Sequence, residues 1–324
     1  FVFFHVFDPH DPYEPRRPYE SMWADPGKKE DHERDADKLR KVIPDPFMRT
    51  RAMGTRRQFE EANIDTQQYL AYEKDWYDGS IRAMDTELAR VLERLKTLGL
   101  AEKTMIAFIA DHGEEFLDHG RMFHGQTLYG ELTNVPLVLF WPGVVPNGVV
   151  VDETVRSIDL MPTLLEVSGR PRPEGLQGQS LMPLITAATE LRKADATGLT
   201  LARLAADLGW QRRPAVSERA TTQRSGGPRP RDDEAVSIVL DGWKLIHNTK
   251  SSSGRPEFEL FEHAKDPLDL ENVTDEHPDV VEKLLAELQA WRDLAQAGKL
   301  PPADSTEGLS DEELQRLRSL GYIQ

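Results

Sequence analysis

Apolar residues recur along this chain with two different periods. Between residues 68 and 98, Ile81, Met84, Leu88, Val91, Leu92, Leu95 and Leu98 fall three or four apart, on one stripe of a helix. Gly99 is placed to stop that helix, because glycine accepts the left-handed turn that closes a last turn. Three short continuous runs flank it: FVFFHVF (1–7), TMIAFIA (104–110) and VPLVLFWPG (135–143). Their length and their β-branched and aromatic content predict buried strands. Strand, long helix, strand is the order of a βαβ unit, which predicts a parallel sheet. SIDLMPTLLEVSG (157–169) predicts a further helix, with Ser157 or Asp159 near its start and Gly169 at its end. Residues 14–60 are charged and punctuated by proline, with no clean period, and read as a surface excursion with short helices.

The texture then changes. Residues 186–214 are helical and polar, and TTQRSGGPRPRDDE (221–234) reads as a loop. AVSIVL and WKLIHN (235–248) flank Asp241-Gly242, a strong hairpin signal, and EFELFE (257–262) makes a third strand. This antiparallel meander is followed by an amphipathic helix at 277–298, with Pro278 in its first turn. After a linker, LPPADSTEG, SDEELQRLRSLGY (310–322) closes the chain with Ser310 and Glu313 in a capping-box pattern. Three parts are expected: an α/β part at 1–185, a helical insertion or linker at 186–214, and an α+β subdomain at 215–324. The chain opens inside an apolar run, with no signal-peptide pattern, and reads as a sequence that begins mid-domain.

Composition narrows the chemistry. Of 324 residues, 56 are acidic and 40 basic, a net charge of −16. Nucleic acid normally demands a basic face and is disfavoured as a partner. An acidic protein that handles an anion needs a local positive centre, which a metal ion or a few histidines can supply. Cysteine is absent, so there are no disulfides and no thiolate ligands. No apolar run is long enough to span a bilayer.

The densest chemistry is FIADHGEEFLDHGRMFHGQ (108–126), which holds His112, His119 and His124 with Asp111, Glu114, Glu115 and Asp118. In open α/β sheets ligands sit beyond the carboxyl ends of strands. There Asp111 offers a hard oxygen and His112 a neutral nitrogen, a pair suited to a divalent cation. Gly113 lets the backbone turn sharply beside them. The bland alternative is a solvated loop at a strand end. His119 reads as structural, bonded to a carbonyl, and Glu114 and Glu115 as caps or as acceptors behind the ligands. HVFDPHDPY (5–13) also follows an apolar run. Its His10, set between two Asp-Pro steps, can bind an oxyanion or protonate a leaving group, or be a turn histidine without a role. His5 reads as a core or rim residue.

Taken in order, these pieces resemble the sulfatases of the alkaline-phosphatase superfamily. The resemblance rests on FDPHDPY (7–13), YDGSIRAMDTELARVLERLKTLGL (77–100), IADHGEEFLDHGRMFHGQTLYGELTNVPLVLFWPG (109–143), SIDLMPTLLEVSG (157–169) and GQSLMPLI (178–185). DGWKLI (241–246), FELFEHAKDPLDLENV (258–273) and LSDEELQRLRSLGY (309–322) resemble the family's C-terminal subdomain and tail. The resemblance implies an α/β, alkaline-phosphatase-like sandwich with a central, mostly parallel sheet and a smaller C-terminal antiparallel sheet and helix subdomain. Residues 1–185 would then be the C-terminal portion of the catalytic domain.

It further implies a hydrolase of sulfate esters, on a small molecule or carbohydrate, with one divalent metal: calcium first, with Mg, Mn or Zn as alternatives. Asp111 and His112 match the metal-ligand pair, and His10 and His124 the residues that contact the anionic ester. Many sulfatases carry Asp-Asn where this chain has Asp-His. Phosphonate monoester hydrolases and phosphodiesterase-like relatives share that departure, so phosphoryl chemistry stays open, as does a non-catalytic binding protein with a degenerate site. The family's nucleophile, a formylglycine made from Cys or Ser before x-Pro-x-Arg, is expected upstream of this chain, as are further metal-binding aspartates. SGRPRP (168–173) has similar letters but follows a predicted helix, in the wrong order. Family habit suggests a periplasmic or extracellular location.

Overall fold

The structure, a computed structural model, describes residues 1–193, 200–219, 234–251, 254–298 and 310. In chain order the helices are α1 (Lys29–Val42), α2 (Pro46–Thr50), α3 (Arg56–Glu61), α4 (Thr66–Thr97), α5 (Gly130–Thr133), α6 (Leu160–Val167), α7 (Met182–Lys193), α8 (Leu201–Asp207) and α9 (Pro278–Ala297). The strands are β1 (Ile106–Ile109), β2 (Glu115–Phe116), β3 (Met122–Phe123), β4 (Leu137–Phe140), β5 (Ala215–Arg219), β6 (Glu234–Leu240), β7 (Trp243–Lys250) and β8 (Phe258–Phe261). The chain forms two compact units. One joins 1–153 to 181–211; the other joins 154–180 to the chain from Arg212 onward.

In the first unit, α4 forms where the period predicted it. The Asp65 side chain accepts from the Gln68 N–H at its start, and Gly99, at φ +68°, follows its end. The buried residues of α4 are Tyr69, Tyr72, Gly79, Ser80 and Ala83. Val91, Leu92 and Leu98 of the predicted stripe are exposed. Periodicity identifies a helix face, but burial needs a partner. Here α1 and α3 supply it to the N-terminal half, where Phe59 meets Tyr69 edge-on and His32 stacks on Tyr69 and Tyr72.

Residues 14–60 are more than a surface excursion. Helices α1 to α3, with Ile43 just after α1, bury Leu39, Ile43, Met48 and Phe59 in one cluster with Tyr13, Leu117, Met122 and Phe123. Local signals start the two short helices. Asp45 caps α2 with Pro46 behind it, and Thr55 and Gln58 form a capping box on α3. Each helix contributes only one or two anchors, which is too few to show a period in sequence.

Two expectations about strands are overturned. Residues 1–7 form no strand, and Phe1, Phe3, Phe4 and Phe7 are exposed. A strand needs a neighbour for its N–H and C=O groups, and no described segment pairs with this one. The βαβ unit goes with it. β1 and β4 instead pair antiparallel, Ile106 opposite Phe140 and Ile109 opposite Leu137. Every strand pairing among the described residues is antiparallel, so the central, mostly parallel sheet is not found among them.

The second unit matches the predicted meander and adds a strand to it. The order is β5-β6-β7-β8, all antiparallel. Asp241 (φ +52°) and Gly242 (φ +81°) make the β6–β7 turn, both left-handed as a two-residue hairpin of this twist requires. α9 lays Leu284 and Leu288 onto Val236, Ile238, Leu245 and Leu260. Lys244, fully buried, donates to Oδ2 of Asp269 at 2.6 Å, and His263 Nδ1 lies 2.7 Å from its Oδ1. In the same unit, Ser168 closes α6, its hydroxyl donating to Leu164 O at 2.7 Å. Of the loop expected at 221–234 only Glu234 is described, as the first residue of β6, and the linker and, apart from Ser310, the segment 310–322 lie outside the described residues. No helix among the described residues is long and apolar enough to cross a membrane.

Candidate active site

The site is built from three pieces of the first unit. The first is the loop after β1. Asp111 and His112 leave the strand end, and the chain is then tied down by Gly113 N–H donating to Leu132 O and Glu114 N–H to Glu131 O. Gly113 is required there for close approach: a Cβ would meet Glu131 O at 1.9 Å. The second piece is the β2–β3 hairpin, whose turn closes through Leu117 N–H to Arg121 O at 2.7 Å. Phe123, buried and at φ +70°, ends this hairpin in a conformation a bulky residue seldom adopts, and it delivers His124. The third is the turn at 7–13. His10 N–H donates to Phe7 O, and the Phe7 ring stacks on the imidazole at 4.4 Å.

These pieces bring His10, His112 and His124 together. His112 and His124 stack with centroids 4.2 Å apart, and His10 meets His124 edge-on at 4.7 Å. One nitrogen from each ring lies within 4.8 Å of one from each of the others. The rings share a second feature. Each directs Nδ1 at an oxygen: His10 at Asp11 O (2.8 Å), His112 at Gly113 O (2.8 Å) and His124 at Glu114 Oε1 (3.0 Å). A carbonyl or carboxylate oxygen only accepts, so Nδ1 carries the proton and Nε2 is the nitrogen left for a ligand. Asp111 stands beside them, its side chain 86% exposed, with Oδ1 accepting from the His112 N–H at 3.1 Å.

The electrostatics differ among the groups. Burial works against a charge on His124, but the hydrogen bond to Glu114, that carboxylate's charge and, to a smaller extent, the charge of Asp11 together outweigh it, so the ring keeps its proton to higher pH than an ordinary imidazole. The Arg51 guanidinium opposes this weakly. Glu114 is therefore an anchor for His124, a pairing the sequence showed only as an acidic neighbour.

His119 lies apart from this cluster. Its Nδ1 is 2.7 Å from Glu131 Oε1, so it meets a carboxylate rather than a carbonyl, and its ring stacks on Tyr129. Glu115, fully buried, accepts from the N–H groups of His119 and Arg121 and from the Thr127 hydroxyl. Burial pushes its carboxyl up to about 7, against those hydrogen bonds. Sequence reasoning missed Asp11, Arg51 and Glu131. Asp11 is the most legible of them, since it follows His10 directly.

Comparison with known proteins places the chain in a family. Arylsulfatase K of Xenopus laevis is 25% identical over 226 residues, which is 69% of this chain and 38% of that protein. The human Arylsulfatase K is 36% identical over 100 residues, 31% of this chain and 18% of that protein. The chain thus spans well under half the length of these curated relatives. Among solved structures, a phosphonate monoester hydrolase of Agrobacterium radiobacter superposes with a TM-score of 0.57 at 22% identity, over 87% of this chain and 55% of that one. A 2-O GAG sulfatase gives 0.57 at 20% identity, over 79% and 49%. Both likenesses speak to the fold alone. The sequence model of the Sulfatase family matches residues 1–169, more than half of the chain, and the chain belongs to the sulfatase family.

Proposed function

We propose that the protein is a metal-dependent hydrolase of sulfate esters, and that Asp111, His112, His10 and His124 are this chain's share of its active site. The observation that supports this is the convergence of three imidazoles, each held by its Nδ1, next to an exposed carboxylate. The donor set suits a metal. Asp111 offers a hard oxygen, and Gly113 O orients His112 so that Nε2 is its ligand atom, as backbone carbonyls commonly do behind ligating histidines. Calcium is the family's expectation; an imidazole donor shifts the preference toward Mn or Zn. A bound divalent cation would act as a Lewis acid on the ester oxygens.

The roles of the chain's other groups follow from their surroundings. His124, whose proton Glu114 helps to hold, donates to an anionic oxygen rather than ligating a metal. His10, oriented by Asp11 and Phe7, is the proton donor to the leaving oxygen. The nucleophile is assigned to sequence outside these 324 residues, because the chain has no cysteine and the Ser168 hydroxyl closes the end of a helix by donating to Leu164 O. The substrate is a small-molecule or carbohydrate sulfate ester. Phosphoryl transfer is the second reading, favoured by His112 in the place of the asparagine of many sulfatases.

Calorimetric titration of the chain with Mn²⁺ tests the metal assignment. Binding is expected in the wild type and its loss in His112→Ala and Asp111→Ala; unchanged binding in both variants would refute it. The full-length protein is expected to hydrolyse 4-nitrophenyl sulfate faster than a phenylphosphonate monoester, and the isolated chain to hydrolyse neither. The reverse preference would favour phosphoryl transfer.

A further inference from the structure

Arg51 follows α2 directly, on a backbone that is held in place. Ala52 behind it is buried at φ +53°, its N–H donating to Arg49 O, and Met53 N–H donates to Met48 O. The guanidinium is held on one edge. Its Nε lies 3.3 Å from Oδ2 of Asp11, a carboxylate only 6% exposed, and its Cζ sits 4.5 Å from the centre of the Phe47 ring. The other oxygen of Asp11 lies 3.3 Å from Nδ1 of His10. One buried carboxylate therefore bridges Arg51 to the histidine cluster.

The rest of the fork has no such duty. Nη1 and Nη2 of Arg51 meet no acceptor among the described residues, and the side chain is 40% exposed. The neighbouring Arg49 is different. Its Nε and Nη2 donate to Ile43 O and Pro44 O and so serve the loop itself. A guanidinium anchored through Nε and stacked on an aromatic ring has lost much of its conformational freedom in advance, and its planar N–H pairs match the two oxygens of a carboxylate or sulfate. In a protein of net charge −16, a cation kept at the edge of an anion site has a direct use.

We propose that Arg51 is a second anion subsite beside the His10–His112–His124 cluster, which selects sulfate esters bearing another anionic group, a carboxylate or a second sulfate, near the ester. This rests on the reading of the cluster as a sulfate-ester site. Asp11 is then a positioning residue that holds Arg51 and His10 in one frame.

The test is calorimetric titration of the chain, with Mn²⁺ present, against three ligands: phenyl sulfate, 2-carboxyphenyl sulfate and catechol disulfate. The dianions are expected to bind about tenfold more tightly than phenyl sulfate. A larger gain for one of them identifies the second group as carboxylate or sulfate. In Arg51→Met the preference should fall to roughly one, because the paired hydrogen bonds are gone. It should persist in Arg57→Met, an exposed arginine of α3. Loss of a merely structural arginine would weaken all three ligands alike and leave their ratio unmoved. A ratio in Arg51→Met equal to the wild-type ratio, or no preference in the wild type, overturns the subsite and leaves the sulfate-ester reading standing. Failure of phenyl sulfate to bind, or binding indifferent to His124→Ala, overturns that reading and the subsite with it.

Discussion

Nδ1 of His124 lies 3.0 Å from Oε1 of Glu114, a carboxylate whose side chain is only 4% exposed. The pair joins the end of the β2–β3 hairpin to the loop after β1. It also sets the charge of the ring, because burial alone would favour the neutral imidazole.

Replacing Glu114 with Gln removes the charge and keeps the shape. Only the smaller effect of the Asp11 charge then stands against burial, and the His124 titration should move down from its wild-type position. NMR titration of the histidine ring signals measures this. A midpoint in Glu114→Gln equal to that of the wild type would show that the carboxylate is not the cause.

Glu115 predicts a pH dependence of stability. Its carboxyl is raised from 4.5 to about 7 in the folded protein, so the folded state binds this proton more tightly than the unfolded chain does. The contribution is therefore most favourable below about 4.5 and is lost as pH rises toward about 7, on the order of 3 kcal/mol in all. Glu115→Gln keeps an acceptor for the His119 and Arg121 N–H groups but cannot ionise. Urea unfolding across pH 5–8 should show a decline in the wild type that Glu115→Gln flattens.

Gly113→Ala should disturb the site through the backbone. Its Cβ would stand 1.9 Å from Glu131 O and 2.9 Å from the Glu131 carbonyl carbon, neither of which is a flexible side-chain end. A loss of at least about 2 kcal/mol is expected, as for other overpacked positions. Mn²⁺ affinity should weaken as well, because Asp111 and His112 ride on the same loop. Denaturant unfolding and metal titration of one sample read both effects.

The second unit has its own sensitive point. Lys244 and Asp269 are both fully buried, 2.6 Å apart. Lys244→Met leaves the Asp269 carboxylate facing His263 without its ammonium partner. Removing one member of a buried pair typically destabilises by about 3–5 kcal/mol. Thermal unfolding should place this variant far below Lys283→Met, whose ammonium pairs with Asp241 at the surface.

Legibility in the sequence followed the range of the interaction. α4, α9 and the Asp241-Gly242 hairpin were readable because each is specified by residues a few positions apart: a cap, a period, a pair that tolerates positive φ. β5 was not, since its five residues become a strand only beside β6. The phenylalanines of 1–7 carry a strand's composition but find no ladder. In the site, Asp111-His112-Gly113 and His124 announced themselves by crowding polar residues behind an apolar run. Arg51 did not, because nothing in its own neighbourhood distinguishes it from Arg49.

The chain's own order of residues determined which segments turn, coil or extend, and which side chains carry chemistry, since those properties depend on local backbone preference and on side-chain identity. Tertiary structure alone decided that β1 pairs antiparallel with β4, that among the described residues α4 is fully buried only at positions between Tyr69 and Ala83, and that His10 meets His112 and His124 across most of the first unit. Such meetings depend on which distant surfaces can be buried together, and no stretch of sequence contains its own partner.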